Sequence, residues 1–219
     1  MKTKSVIVLC SALALLCVSG CNSQVKNNES VQAVSKKMNL FIILGSTRQG
    51  RMSDKIANAL NGLLHKRTDI NTQLIDLRDY QLPLLDDAVV PSRRKTITDP
   101  AIQRWSDIIK QADGFIMIVP QYNKGYPAVF KNALDLLYVE WNNKPVGLVG
   151  YSGGPSGGSF VLSSLGPVMD ELKMILVDTV ITIPTAWKAL DAQGNLLDAS
   201  IEATLNAMVD QIIQNISDK

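Results

Sequence analysis

Short apolar runs alternate with longer amphipathic segments along most of this chain. Residues 40–44 are continuously apolar and are followed by Gly45, a pattern typical of a strand buried on both faces. Further strands are predicted at residues 72–77, 115–119 and 146–149 and, in two pieces, at 175–183. Helical spacing of apolar residues predicts helices at 53–66, 99–112, 128–138, 160–172 and 201–216, the fourth weakened near Gly166 and Pro167. Five strands interleaved with helices indicate an α/β fold with a parallel sheet.

Three unusual loops follow predicted strands, at residues 45–53, 120–127 and 151–158. In parallel α/β sheets, ligands bind at the carboxyl ends of the strands, in the loops at the topological switch point. We therefore expect these loops to lie at one edge of the sheet and to form a ligand site together.

The first loop, residues 45–53, reads Gly-Ser-Thr-Arg-Gln-Gly-Arg-Met-Ser and leads into a helix. Backbone N–H groups at a helix start favour an anion, and Arg48 and Arg51 add charge. Arg51 and Met52 stand where a phosphate-loop NTPase needs Lys and then Ser or Thr, and the G-x-G-x-x-G dinucleotide fingerprint is absent. The loop therefore predicts a phosphate monoester site without a metal. The alternative is a plain strand-to-helix turn in which Ser53 caps the helix.

The second loop, residues 120–127, carries two prolines, two carboxamides and two tyrosines, and Gly125 is expected to allow a tight turn. Such a surface suits a planar heterocycle with donors and acceptors on its edges. The third loop, residues 151–158, is rich in Gly and Ser, so its backbone can approach a ligand closely. Separately, the two loops could also be ordinary packing and a flexible connector. Together with the first loop they favour a mononucleotide cofactor site.

Composition narrows the chemistry further. The chain has 219 residues, 46% of them hydrophobic, a formal net charge of +2, one His and three Cys. The length suits one domain with a substantial core. The single His65 and the Cys spacing disfavour a buried zinc or iron site and most hydrolytic chemistry. No basic block suggests a nucleic-acid partner.

The N-terminus has the layout of a secretory signal. Lys2 and Lys4 precede an apolar run at residues 6–18, and small residues lead to Cys21. Residues 16–21, Leu-Cys-Val-Ser-Gly-Cys, resemble a bacterial lipobox, with Val18 where Leu is more usual. That resemblance implies a signal peptide at residues 1–20, lipidation of Cys21 and anchoring to a membrane on its extracytoplasmic side. Residues 21–38 are then a lipidated Cys and a flexible tether, and 39–219 the folded domain. The alternative is a cytoplasmic form translated from Met38.

Three segments together resemble the NAD(P)H-dependent FMN reductases, flavodoxin-like proteins that include quinone, chromate and azo-dye reductases. The segments are residues 45–51, residues 120–127 continuing as Phe-Lys-Asn-Ala-Leu-Asp at 130–135, and Lys144 and Pro145 leading to Ser-Gly-Gly at 152–154. The resemblance runs from about residue 39 to 183. It implies a doubly wound five-stranded parallel sheet of order 2-1-3-4-5, FMN as cofactor, NADPH or NADH as co-substrate, and a homodimer or homotetramer.

The resemblance also implies roles for individual residues. The cofactor phosphate would be held in the first loop, the flavin ring would lie on the second, and the third would line its other edge. The residues concerned are Ser46, Arg48, Gly50, Arg51 and Ser53, then Pro120, Gln121, Tyr122, Asn123 and Gly125, and finally Ser152, Gly153 and Gly154. No side chain is expected to be catalytic, because flavin N5 carries the chemistry. Asp135 and Trp141 are expected to serve packing or a subunit contact.

Two positions depart from the family pattern. Gln121 stands where many relatives have Glu, and Ser163 and Ser164 occupy a helix that often carries an Arg. The function implied is ping-pong transfer of hydride from NAD(P)H to FMN and then to a quinone-like or other small acceptor. The alternative is a membrane-anchored flavin electron carrier that a protein partner reduces, because free NADPH is not expected outside the cytoplasm.

Overall fold

The computed structural model describes residues 37–217. The predicted signal peptide, the lipidated Cys21 and nearly all of the predicted tether lie outside the described residues. The first strand begins at Met38, whose backbone N–H donates to the Asp69 carbonyl at 3.0 Å. The folded domain therefore starts one residue before the predicted boundary.

Five strands and five helices alternate along the described chain. The strands are β1 (Met38–Leu44), β2 (Ile70–Asp76), β3 (Gly114–Pro120), β4 (Pro145–Tyr151) and β5 (Ile175–Ile183). The helices are α1 (Ser53–Leu64), α2 (Pro100–Gln111), α3 (Ala128–Asp135), α4 (Ser159–Glu171) and α5 (Ser200–Ser217). A short 3-10 helix, Ala186–Lys188, follows β5. All strand pairs are parallel, and the order β2-β1-β3-β4-β5 confirms the flavodoxin-like arrangement that the resemblance implies.

The sheet separates two hydrophobic cores. Ile42 and Leu44 of β1 face the core that α1 and α5 cover, whereas Phe41 and Ile43 face the core covered by α2, α3 and α4. β3 and β4 are buried along their whole length because helices cover both of their faces, and this explains their continuous apolar sequence. Within residues 37–217, no helix is both long enough and apolar enough to cross a membrane.

The cap of α2 follows directly from sequence. Asp99 accepts hydrogen bonds from the backbone N–H groups of Ala101 and Ile102, at 2.7 and 3.0 Å, and Pro100 occupies the first helical position.

Trp141, expected to serve packing, is fully buried and donates to the Leu134 carbonyl at 3.1 Å.

The element boundaries lie within three residues of the prediction, and three details of the elements have a clear physical cause. α3 ends at Asp135, whose carboxylate pairs with Lys131 one turn earlier at 2.6 Å. β5 is one strand rather than two, and its pairing with β4 shifts register between Val146 and Leu148. α4 continues through Pro167, because the buried Leu165 and Met169 hold it against the core and offset the lost backbone hydrogen bond.

Candidate functional site

The loops that follow β1, β3 and β4 meet at the carboxyl edge of the sheet. The Ser46 and Tyr122 hydroxyl groups lie 2.7 Å apart, which links the first loop to the second. The Gln121 side-chain amide donates to the Ser156 hydroxyl at 3.0 Å, which links the second loop to the third. The three loops are therefore joined by side-chain hydrogen bonds before any ligand is bound.

A cleft of about 340 Å³ opens between these loops. The predicted site residues that line it are Arg48, Gly50, Arg51, Pro120, Gln121, Tyr122, Ser152 and Gly153. Met52, Tyr151, Ala186 and Trp187 line it as well and were not predicted. The remaining predicted residues, Ser46, Ser53, Asn123, Gly125 and Gly154, belong to the same loops without lining the cleft.

The first loop presents one exposed arginine and a turn that favours glycine. The Arg48 backbone N–H donates to the Ser46 hydroxyl at 3.2 Å, and the Arg48 side chain is exposed at the cleft. Gly50 has a φ of 68°, a conformation that L side chains rarely adopt. Arg48 is thus placed to meet an anion from the solvent side.

The second arginine of this loop is committed to protein partners. The Arg51 guanidinium is fully buried and donates to Asp54, to Asp76 and to the Ser46 carbonyl. Its closest contacts with both carboxylates are 2.5 Å, and all five N–H donors of the side chain are used. This arrangement argues against the predicted role of Arg51 as a phosphate ligand. The Arg51 side chain instead connects the first loop to the end of β2.

The charges of this cluster stabilise one another. Burial alone would lower the pKa of the Arg51 guanidinium, but its hydrogen bonds to Asp54 and Asp76 outweigh burial and raise that pKa. Burial would likewise raise the pKa of the Asp76 carboxyl, but hydrogen bonds from Arg51 and Arg78 lower it well below its usual range. Both groups therefore stay ionised at neutral pH.

The start of α1 has no side-chain cap, so the alternative in which Ser53 caps this helix is wrong. The cap position is Met52, and Ser53 is the first helical residue. The Ser53 and Tyr151 hydroxyl groups are buried and have no hydrogen-bond partner among residues 37–217. Burial raises the pKa of the Tyr151 hydroxyl to about 12, with the neighbouring Ser53 opposing the shift, so the Tyr151 hydroxyl is neutral at physiological pH. Unpartnered N–H groups at a helix start and two unsatisfied hydroxyls fit an anionic group that accepts hydrogen bonds.

The second loop makes a tight turn that Gly125 closes. Tyr122 and Gly125 exchange backbone hydrogen bonds of 2.9 Å across a tight turn. Asn123 and Lys124 occupy the two central positions with φ of 51° and 67°. Gly125 does not have a positive φ, because the turn places the left-handed conformation at the two residues before it. Asn123 lies exposed at the tip of this turn.

The third loop is held against the end of β5. The Ser152 hydroxyl donates to the Gly154 carbonyl at 2.9 Å, and the Thr185 N–H donates to that same carbonyl at 3.0 Å. Gly158 has a φ of 94°, and a Cβ there would overlap the backbone of Gly150 and Tyr151. In α4, which follows, the Ser163 and Ser164 hydroxyls donate to carbonyls of their own helix.

Trp187 is the most prominent site residue that sequence reasoning missed. It lies in the 3-10 helix after β5, is 60% exposed, and its ring would be 3.0 Å from a Cβ at Gly153. The position of this loop in the sheet could have pointed to it, because the carboxyl end of β5 lies at the same sheet edge as the other three loops. The loop composition after β5 gave no motif to single it out.

Sequence comparison identifies relatives over most of the described chain. A family model described as NADPH-dependent FMN reductase matches residues 38–188. The chain is 37% identical over 148 residues to an NAD(P)H-dependent FMN reductase of Schizosaccharomyces pombe, covering 66% of this chain and 73% of that protein. It is 33% identical over 177 residues to an FMN-dependent NADPH-azoreductase of Staphylococcus saprophyticus, covering 79% of this chain and 92% of that protein.

Structure comparison agrees on the fold. A flavoenzyme NAD(P)H:(acceptor) oxidoreductase from Paracoccus denitrificans superposes with a TM-score of 0.67 at 22% sequence identity, covering 81% of this chain and 98% of that one. The family model spans more than half of the chain and includes all three loops of the cleft. On this evidence, the chain belongs to the NADPH-dependent FMN reductase family.

Proposed function

We propose that the cleft binds FMN, with the phosphate at the first loop and the start of α1 and the ring beside residues 120–122 and 152–153. Family membership makes the chain an NAD(P)H-dependent FMN oxidoreductase, with NADPH or NADH as co-substrate. The observation that supports the site most strongly is the cross-linking of three loops around one cleft by the Ser46–Tyr122 and Gln121–Ser156 hydrogen bonds. When bound, FMN supplies the hydride-accepting chemistry.

The side chains have binding and positioning roles in this proposal. Arg48 supplies a positive charge for the phosphate, and Ser53 supplies a hydroxyl that lacks a protein partner. Arg51 holds the loop in shape through Asp54 and Asp76. Gln121 contributes a neutral carboxamide that donates to the Ser156 hydroxyl and holds the second loop against the third.

Combined substitution of Arg48 and Ser53 tests the phosphate assignment. We expect Arg48→Ala with Ser53→Ala to weaken FMN binding by about 10- to 100-fold, because a charge-assisted hydrogen bond and a hydroxyl donor are lost. The fold should be retained, since Arg48 is exposed and the Ser53 hydroxyl has no partner within residues 37–217. Fluorescence titration with FMN measures the affinity, and circular dichroism checks the fold. An unchanged FMN affinity would remove the assignment.

We propose a quinone-like or other small molecule as the electron acceptor. Support comes from similarity to a 2-hydroxy-1,4-benzoquinone reductase of Burkholderia sp, 26% identical over 189 residues, and to the azoreductase above. In a ping-pong cycle, nicotinamide and acceptor use the cleft in turn. Anaerobic reduction by NADPH followed by stopped-flow mixing with a benzoquinone tests both half-reactions. Reoxidation no faster than by dissolved oxygen would argue against a quinone.

We also propose that Cys21 is lipidated and anchors the protein to a membrane outside the cytoplasm. The supporting evidence is the charged start, the apolar run and the lipobox-like segment at residues 16–21. Mass spectrometry of the N-terminal peptide from membranes of a bacterial expression host tests it, with Cys21→Ser as the control. An unprocessed N-terminus in both proteins would contradict lipidation, and a product starting at Met38 would indicate the cytoplasmic alternative.

We propose that the chain forms a homodimer or homotetramer. Leu84, Val90 and Val139 are large apolar residues that are each more than half exposed. The segment that carries Leu84 is fixed beside α3, because Asn132 donates to the Pro83 carbonyl and accepts from the Leu85 N–H. Contiguous apolar patches on a surface mark interaction sites, and these three side chains are the candidates for such a patch. Light scattering after size-exclusion chromatography gives the state directly, and a monomer at all concentrations would contradict the proposal.

A further inference from the structure

A second and larger cavity, of about 680 Å³, lies beside the cleft. We call it the α1 groove, because one wall is α1 and the other is the segment of residues 187–195 after β5. Met52 and Trp187 line both cavities, so the groove adjoins the cleft. It is lined by Met52, Lys55, Asn58, Ala59, Gly62, Leu63, Lys66, Trp187, Leu190, Asp191, Ala192, Gln193, Gly194 and Asn195.

The groove follows one face of α1. Its helical lining residues recur at intervals of three and four, and between Lys55 and Leu63 the helix advances about 12 Å. The floor is low because two of these residues, Ala59 and Gly62, are small. A Cβ at Gly62 would meet no atom within 4 Å. Helix formation does not require this glycine, since alanine stabilises a helix better.

The charge on the groove is concentrated at the end next to the cleft. Lys55 is exposed, lies one turn from Met52 and makes no ion pair within residues 37–217. Lys66, at the far end, pairs with Glu202 at 2.6 Å. The acidic lining residue is Asp191, whose carboxylate accepts from the Gln193 and Asn195 N–H groups and from the Asn195 side chain. The positive charge left to meet a ligand is therefore that of Lys55.

NAD(P)H needs a binding surface that extends beyond the cleft. The cleft, at about 340 Å³, also has to accept the flavin, so it cannot enclose a complete dinucleotide. Only the nicotinamide end of NAD(P)H has to enter, and the remainder must continue along the protein surface. Next to the cleft stands Lys55, a point charge suited to a phosphate. Beyond it, Leu63 and Leu190 offer apolar contact to a base, and Asn58, Gln193 and Asn195 offer amide groups to its edges or to a ribose.

We propose that the α1 groove binds the adenosine diphosphate part of NAD(P)H, with Lys55 at the pyrophosphate. The assignment rests on the proposed function, because it presumes that nicotinamide enters the cleft. It adds a subsite that contributes to affinity for the dinucleotide and makes no contact with the acceptor.

The test compares two reductants of the FMN-loaded protein under anaerobic conditions in stopped flow. One is NADPH, and the other is reduced nicotinamide mononucleotide, which lacks the adenylate. Lys55→Glu should raise the half-saturating NADPH concentration by about tenfold or more, because an attraction becomes a repulsion. Gly62→Leu should do the same by filling the floor, whereas Gly62→Ala should stay within about twofold. Half-saturation by the mononucleotide should not respond to Gly62→Leu, and it should respond less than that by NADPH to Lys55→Glu, because the mononucleotide keeps only one of the two phosphates.

Controls separate the groove from the cofactor site. Arg104→Glu, at an exposed position of α2 on the other face of the sheet, should behave as wild type with both reductants. FMN affinity is measured for every variant, so weaker reduction caused by lost cofactor is recognised. Wild-type half-saturation by NADPH in both Lys55→Glu and Gly62→Leu would overturn the inference and leave the proposed function intact. A wild-type protein that binds FMN but is reduced by neither nucleotide would overturn both.

Discussion

At the scale of single residues, the two arginines of the first loop have different surroundings. Arg48 is exposed at the cleft, whereas Arg51 is buried between Asp54, Asp76 and a carbonyl. Residue type and spacing cannot distinguish them, since both are cations within three positions of each other. The distinction depends on Asp76 at the end of β2, 25 residues away in the chain.

Replacement of Arg51 by Lys should show that its planar group is structural. Arg51→Lys keeps the charge but loses the contacts to two carboxylates, so we expect the free energy of unfolding of the apoprotein to fall by about 1–3 kcal/mol. Arg78→Lys is the matched control, because Arg78 contacts the same carboxylates from an exposed position; it should change stability by less than about 0.5 kcal/mol. Urea unfolding measures both, and equal effects would contradict a special role for Arg51.

The acid stability of the domain should depend on Asp76. The pKa of this carboxyl is lowered from its ordinary value of 3.8, so its ionised form favours the folded state. That stabilisation is complete at neutral pH and is lost as the pH falls below about 4 toward the folded-state pKa. We expect Asp76→Asn to be destabilised relative to wild type above about pH 5, with the difference shrinking in acid. Urea unfolding from pH 2 to 7 measures this, and a pH-independent difference would contradict the assignment.

At the scale of elements, apolar periodicity predicted the five strands and the five α-helices of the described domain. It worked because β3 and β4 are buried on both faces and α2 has one apolar stripe and an Asp99–Pro100 start. The boundaries were less predictable. α4 crosses Pro167 and β5 stays continuous because contacts with distant residues override local preference, and local sequence does not report such contacts.

The site, like the fold, was predicted in its main parts from sequence. The three loops were found from their positions after strands, and most of the residues assigned to them line the cleft. The role of Arg51 differs from the prediction because its burial against Asp54 and Asp76 depends on contacts that local sequence does not report. Trp187 was missed because its place at the cleft depends on the chain path after β5.

Two glycines in the loops should differ in how much stability the protein loses when each is replaced by alanine. Gly158→Ala should destabilise the protein by more than about 1 kcal/mol, since φ is positive there and a Cβ would overlap backbone atoms. Gly125→Ala should change stability by less than about 0.5 kcal/mol, because the nearest atom to its Cβ would be the Tyr122 oxygen at 3.7 Å. Thermal unfolding of both apoproteins measures the difference. A large loss in Gly125→Ala would contradict the turn described above.

At the scale of the whole molecule, two cores fix the sheet and the sheet fixes the loops. α1 and α5 on one side and α2, α3 and α4 on the other leave the carboxyl edge of the strands uncovered. The cleft forms at this edge, and the α1 groove runs from it along the outside of the domain. The proposed function places cofactor, nicotinamide and acceptor together at this one edge.

The visible spectrum of the purified protein with FMN, recorded before and after anaerobic addition of NADPH, tests the central claim most directly. The account predicts a yellow protein that retains FMN through gel filtration and loses its absorbance near 450 nm, characteristic of oxidised flavin, when NADPH is added. A protein that stays yellow would contradict reduction by nicotinamide and favour an electron carrier reduced by a partner. A protein that retains no FMN would contradict the assignment of the cleft itself.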